Sequence, residues 1–313
     1  MPVAKALVQL VSNNLPAATE EELARDLTDL HAAAEREKLD LPAQKLRAVA
    51  LARQPVLDDL PTHSVPTPPS TVPVAFAERC AWETMRQTFQ IVPSNDELWI
   101  IAGDVEGAVY GVLEALECLT GVVWAGPGPG ETRFAPPRSL PSGVQRPSIP
   151  FRARDGSAPG KDLAAFLRWL SRNRINTWRR NSAGYVNVAP GVRDFVRKLF
   201  AARGMHLTLG DHAMHLWLPE SEFEKHPEWF GMRDGQRVRE AHVTMPECPH
   251  LDTVLPVQPC YANEELAEFL TDNMAAHMRD YPEAEIFGLW PHDGINNWCQ
   301  CPDCLHKTPY EHM

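Results

Sequence analysis

The sequence predicts an α/β protein: a small N-terminal α/β domain followed by the first half, about four β/α units, of a closed parallel barrel. Three observations carry that expectation. From residue 88 onward, short apolar runs alternate with stretches of helical period, the order that builds a parallel sheet covered by helices. Proline-dense segments at 60–73 and 136–150 divide the chain where few contacts can cross. The last apolar run, Ile286 to Trp290, ends in Pro291 and opens into a loop dense with polar, aromatic and cysteine residues.

Taken in order, Thr19 to Lys38 places Leu23, Leu27, Leu30 and Ala34 on one stripe and predicts an amphipathic helix. A second, weaker helical stretch is expected over Pro42 to Arg53, making residues 1–60 a helical N-terminal segment. Leu60 to Pro73 holds five prolines in fourteen residues and reads as an extended linker or surface loop. Gln90 to Val92 and Glu97 to Ala102 read as strands joined by the turn Pro93 to Asp96. Gly103-Asp104 then starts a helix, Val105 to Leu119, with Val109, Val112, Leu113 and Leu116 on its inner face and Gly121 at its end. Val122 to Trp124 is a short strand. The Gly-Pro alternation from Gly126 to Gly130 is a stiff turn, because its prolines lack the backbone donors a phosphate cradle needs. Residues 74–140 thus form the expected small α/β domain.

The second domain is expected over 148–313. Its strands are Ile149 to Arg154, Ile175 to Trp178, Met205 to Leu209 and Glu285 to Trp290. Its helices are Lys161 to Arg174, Val192 to Arg203 and Asn263 to Met278, with Phe166, Leu170, Leu199 and Phe200 among the inward residues. An eight-stranded TIM-type barrel needs twice as many units. The chain therefore reads as the first half of one, completed by a missing C-terminal half or by a second copy in a homo-oligomer, since a half-barrel leaves sheet edges open.

Composition narrows the function. Acidic residues exceed basic ones, 41 to 30, for a net charge of −11, which disfavours nucleic acid and anionic membranes as partners. No apolar stretch approaches the roughly 20 residues that span a bilayer. The N-terminus imitates a secretory leader, but Gln9 breaks its apolar run and Asn13-Asn14-Leu15-Pro16 stands where a small-residue cleavage site belongs. Seven cysteines, three of them between Cys299 and Cys304, fit reduced thiols or a metal better than a disulfide framework. A cytoplasmic location is expected. No nucleophile elbow, Walker loop or dinucleotide fingerprint is present in the sequence.

The candidate chemistry lies at predicted strand ends. Asp293, flanked by Trp290 and Trp298, is the candidate catalytic acid, since apolar rings raise a carboxyl pKa; the alternative is that Asp293-Gly294 is only a turn. Arg154 ends the first strand and fits a substrate carboxylate, or else an ion pair with a neighbouring acid. His212 and His215, three apart after Asp211 at the third strand, suit sugar hydroxyls or a metal, or a structural role. His292 and Asn297 complete the candidate sugar-binding set with Trp290 and Trp298. Cys299, Cys301 and Cys304 make C-x-C-x-x-C, three ligands toward a structural zinc, with Cys248, Cys260, His306 or a residue outside the chain as the fourth. Packed free thiols and redox use stay open beside it, and no cofactor is expected for catalysis.

Three segments resemble a bacterial domain-of-unknown-function family related to alpha-glucuronidases and beta-hexosaminidases. They are Ile101 to Leu116 with Val123-Trp124, His212 to Arg237, and Trp290-Pro-His-Asp-Gly…Trp298-Cys-Gln-Cys-Pro-Asp-Cys304. The resemblance implies a small hexosaminidase-like α/β domain before a glycosidase-type barrel, a carbohydrate substrate and hydrolysis of O-glycosyl bonds. Hexosaminidases carry an acidic pair after the fourth barrel strand; here Asp293 matches and Gly294 replaces the second acid. The rival expectations are a non-catalytic carbohydrate-binding or metal-stabilised structural protein, and an inactive fragment.

Overall fold

The computed structural model describes residues 9–12, 15–50, 86–94, 97–128, 130–155, 162–210, 212–245, 248–288, 290–292, 297–308 and 311. The first elements are strand β1 (Gln9–Ser12), helix α1 (Ala17–Glu37), and strands β2 (Lys45–Ala50), β3 (Phe89–Ser94) and β4 (Glu97–Ala102). They build one sheet of order β1-β2-β4-β3, parallel except for β3. Here the expected second helix over Pro42 to Arg53 is corrected, because its centre is β2. The Leu, Ala and Arg content favours a helix locally. Pairing on both edges, Leu46 opposite Leu10 and Leu98, together with full burial of Leu46 and Ala48, outweighs that propensity. The proline-rich segment at 60–73 lies outside the described residues.

Helix α2 (Val105–Thr120) follows β4 at once, and Asp104 caps it by accepting from the Gly107 amide at 2.7 Å. The expected face is inward: Val109, Val112, Leu113 and Leu116 are fully buried with Leu23, Leu30 and Ile100. Gly121 ends the helix in the left-handed region at φ 71° and leads into the antiparallel pair β5 (Val122–Trp124) and β6 (Thr132–Phe134).

The elements expected to form half a barrel follow as β7 (Ala153–Asp155), α3 (Leu163–Arg172), β8 (Thr177–Asn181), α4 (Ser182–Val186), α5 (Pro190–Arg203) and β9 (His206–Gly210). Next come α6 (Met214–Trp217), the hairpins β10 (Met232–Arg233) with β11 (Gln236–Arg237) and β12 (Glu240–Met245) with β13 (Cys248–Pro256), then α7 (Glu264–Asp280) and β14 (Ala284–Phe287). The sheet order is β14-β9-β8-β7, with β14 parallel to β9. The class is α/β. Strands β7 and β8 begin later than the sequence suggested. Pro147 and Pro150 carry no amide to donate, and ladder contact starts where the Thr177 amide reaches the Arg152 carbonyl at 3.3 Å.

The chain divides into two compact units, Met1–Trp178 with Pro190–His206, and Arg179–Ala189 with Leu207–Met313. In the first, α1 carries a buried acidic stripe. Glu22 and Asp26 meet Arg168 and Arg172 of α3 and Arg203 at the end of α5, whose side chain is wholly buried. Also in this unit, Arg152 donates to the Gln87 side chain and the Tyr110 hydroxyl at 2.9 Å each. In the second, Asn263 caps α7 by accepting from the Leu266 amide, and Leu266 packs with Trp217, Trp229 and Phe230.

Candidate functional site

The second unit gathers polar and aromatic groups beyond the carboxyl ends of β9 and β14. These strands close on one another through two glycines. The Gly288 amide donates to Leu209 at 2.7 Å, and a Cβ on Gly210 would stand 3.1 Å from the Gly288 Cα. Side chains there would push the strands apart just before the residues that matter. Past this point the His212 ring meets Trp290 edge-on at 5.4 Å, and its Nδ1–H donates to the Pro291 carbonyl. From β8, the Arg179 guanidinium lies 4.5 Å from the centre of the Trp290 ring. Three adjacent strands thus contribute a cation, an imidazole and an indole to one place.

Arg179 was not among the sequence candidates. Its signal was the polar run Arg179-Arg180-Asn181 after the apolar start of β8, which alternation within a half-buried strand also explains. His212 and Trp290 lie in ring contact, and Trp290 keeps 39% of its surface exposed. His215 is exposed on α6, and Arg154 is exposed on β7, which belongs to the first unit. Asp211 and Asp293 lie outside the described residues.

The loop after β14 is gripped on both sides of positions 293–296. On one side Gln258, 1% exposed, donates to the His292 carbonyl at 2.6 Å and accepts from the His292 amide at 3.1 Å. On the other its backbone amide donates to the Asn297 carbonyl at 2.9 Å, and the Asn297 side chain donates to the Pro256 carbonyl. Asn297 is fully buried, which makes it a brace of the loop. Trp298 packs near Tyr261, with ring centres 6.3 Å apart.

Beside this loop lie four buried cysteines. Cys299, Cys301 and Cys304 come from the expected motif, and Cys260 joins them from the turn after β13. Among the described residues this is the group of His, Cys, Asp or Glu side chains compact enough to hold an ion. His306 is exposed, and the Cys248 side chain is outside the described set. Hydrogen bonding with Cys299, opposed by burial and aided by Arg237, holds Cys260 down to about 4, while burial pushes Cys304 up to about 11.

The family model for a domain of unknown function, DUF4838, matches residues 142–312. The chain belongs to that family. No curated protein matches this DUF4838 sequence. Among solved structures it is similar to an exo-β-N-acetylglucosaminidase of family GH20 from Vibrio harveyi, at 12% identity and TM-score 0.45 over 96% of this chain and 46% of that one. A Flavobacterium johnsoniae chitobiase matches at 12% identity and TM-score 0.42, over 91% and 41%. A GH138 enzyme targeting pectin rhamnogalacturonan II matches at 12% and 0.41, over 90% and 30%. The DUF4838 chain therefore spans less than half the length of each of these three.

Proposed function

We propose that this chain forms the sugar-binding half of a glycoside-hydrolase-like barrel that cleaves O-glycosyl bonds, in the manner of alpha-glucuronidases or hexosaminidases, with Asp293 as general acid. The observation that carries this proposal is the meeting of Arg179, His212 and Trp290 beyond the ends of three neighbouring strands. Carboxyl ends of parallel strands are where α/β folds bind ligands, because loops there vary without disturbing the core. The exposed part of the Trp290 indole offers an apolar face to a pyranose ring. The His212 imidazole, set beside the indole, suits a sugar hydroxyl as a hydrogen-bond partner. The positive charge of Arg179 lies at the same place, as recognition of an acidic sugar would require.

Asp293 stands one residue past His292, whose backbone Gln258 holds at both donor and acceptor. The second carboxylate, roughly 5–10 Å away in a working glycosidase, comes from the other half of the barrel, supplied by further sequence or by a second copy. Zinc has no part in this chemistry.

The test is hydrolysis of aryl glycosides and aryl uronides by protein containing the complete barrel. Asp293→Asn is expected to lower turnover by about 100- to 10,000-fold on substrates with poor leaving groups. The loss should be smaller on activated nitrophenyl substrates, which need little protonation. Turnover unchanged on both removes Asp293 from the mechanism. Sugar binding without turnover in the parent protein instead assigns a carbohydrate-binding role.

A further inference from the structure

The four cysteines beside the loop have a geometry of their own. Cys260, Cys299, Cys301 and Cys304 are each at most 3% exposed, and all four sulfurs lie within 4.8 Å of one another. Cys260 Sγ is 3.6 Å from Cys301 Sγ and 3.9 Å from Cys304 Sγ. A tetrahedral ion with metal–sulfur bonds of about 2.3 Å holds its sulfurs roughly 3.8 Å apart. Disulfides would pair the sulfurs two by two, whereas here Cys260 Sγ approaches two of the others at non-bonded distance and all four lie within one 4.8 Å span. A bridged iron–sulfur cluster interposes several atoms and spreads its thiolates wider.

We propose that Cys260, Cys299, Cys301 and Cys304 bind one zinc ion as a closed structural site. The surroundings suit a thiolate-bound ion. The Met232 amide donates to Cys299 Sγ at 3.3 Å and the Arg237 guanidinium at 3.7 Å, so a donor and a cation face the sulfur charge that four thiolates and one divalent ion leave uncompensated. Cys301 and Cys304 sit on a tight turn in which the Cys304 and Leu305 amides donate to the Cys301 carbonyl at 3.0 and 2.9 Å. Met232 and Ala262 cover the cluster with apolar surface. An all-cysteine set selects zinc over hard cations, and four thiolates fill a tetrahedral shell, leaving no open position for catalysis.

The ion cross-links the same two segments that Gln258 and Asn297 join by hydrogen bonds, residues 256–260 and 291–304. Zinc binding itself does not depend on the proposed function. The consequence for catalysis does: on that proposal, the ion fixes the loop that carries Asp293.

The experiment is metal analysis of the whole chain, purified under reducing conditions without added metal. One zinc per chain is expected. Replacement by cobalt should give the intense visible and near-ultraviolet bands of tetrahedral cobalt thiolate, a signal that needs no variant to fold. Cys260→Ser and Cys304→Ser should each lower zinc content at least tenfold, and His306→Ala should leave it unchanged. Zinc below a tenth of an equivalent with no cobalt–thiolate spectrum overturns the proposal. So does stoichiometric iron, or a pair of disulfides found by mass analysis of freshly lysed cells. Full zinc in a protein that contains the complete barrel, with no glycosidase activity, keeps this proposal and sinks the one before it.

Discussion

Asp26→Ala is expected to destabilise the first unit by about 3–5 kcal/mol, the range for removing one partner from a buried ion pair. Asp26 is fully buried on α1, and its Oδ1 accepts from Arg203 Nη2 at 2.6 Å and from Arg172 Nε at 2.8 Å. The substitution leaves the wholly buried Arg203 guanidinium with only Glu22 and the Ser171 hydroxyl to compensate its charge. Desolvation decides the outcome, because a buried cation that has lost one of its two counter-charges costs more than the lost attraction contributes. Two further variants separate that effect from simple loss of packing. Arg203→Met alone should also be costly, but Asp26→Ala combined with Arg203→Met should cost clearly less than the two single losses added together. Urea unfolding of the four proteins gives the coupling energy directly. Strict additivity of the two single changes would show that the pair is not energetically coupled.

The same network makes the first unit acid-sensitive. Burial pushes the Glu22 carboxyl up, but Arg168 and Arg203 outweigh burial and hold it below its ordinary value of 4.5. A carboxyl lowered in the folded state contributes stability above its unfolded value, and that stability is lost as pH falls through the lower folded value. Thermal midpoints should therefore fall from about pH 5 downward, and Glu22→Gln, already less stable at neutral pH, should show a shallower fall. A parallel decline in both proteins would remove Glu22 as a source of the acid sensitivity.

Gly121→Ala is the second large expected loss, about 2–4 kcal/mol. Two costs act together. Position 121 sits at φ 71°, a left-handed conformation in which a side chain costs about 1–2 kcal/mol. A Cβ there would also fall 1.8 Å from the Ala135 carbonyl oxygen, a backbone atom bonded in place by the Ala135 amide donating to the Gly121 carbonyl at 2.7 Å. A flexible side chain could move aside, but a paired backbone cannot without opening the contact between the end of α2 and β6. Thermal unfolding checks this against Gly143→Ala. Gly143 has the same φ of 71° and nothing within 4 Å of its added Cβ, so that variant reports conformational cost alone. Equal losses at both positions would discard the steric contribution.

Much of this architecture is legible in order along the chain. The periodic apolar residues of α1, α2, α3 and α5 turn inward as their spacing requires, and the Asp104 cap and the Gly121 stop both sit where the sequence placed them. Strand β2 was not legible. Leu46, Ala48 and Ala50 satisfy a strand face and a helix face almost equally well, and only the neighbouring edges of β1 and β4 decide between them. The hairpins β10–β11 and β12–β13 hide in a segment of histidine, tryptophan and proline with no clean period. For the candidate site, His212 and Trp290 could be named from strand ends. Arg179 could not, since a mid-strand arginine usually points to solvent.

The sequence by itself determined the α/β class, the order of the elements and three of the four clustered thiols, because periodicity, capping and short-range spacing are local properties. Only the tertiary structure decided the fourth. Cys260 stands 39 residues before Cys299, and nothing local distinguishes it from Cys248 until the chain has folded and brought its sulfur within 4.8 Å of the other three. The partners of Arg203 were decided in the same way. A buried charge needs its counter-charge in space, and the fold found it 177 residues away at Asp26.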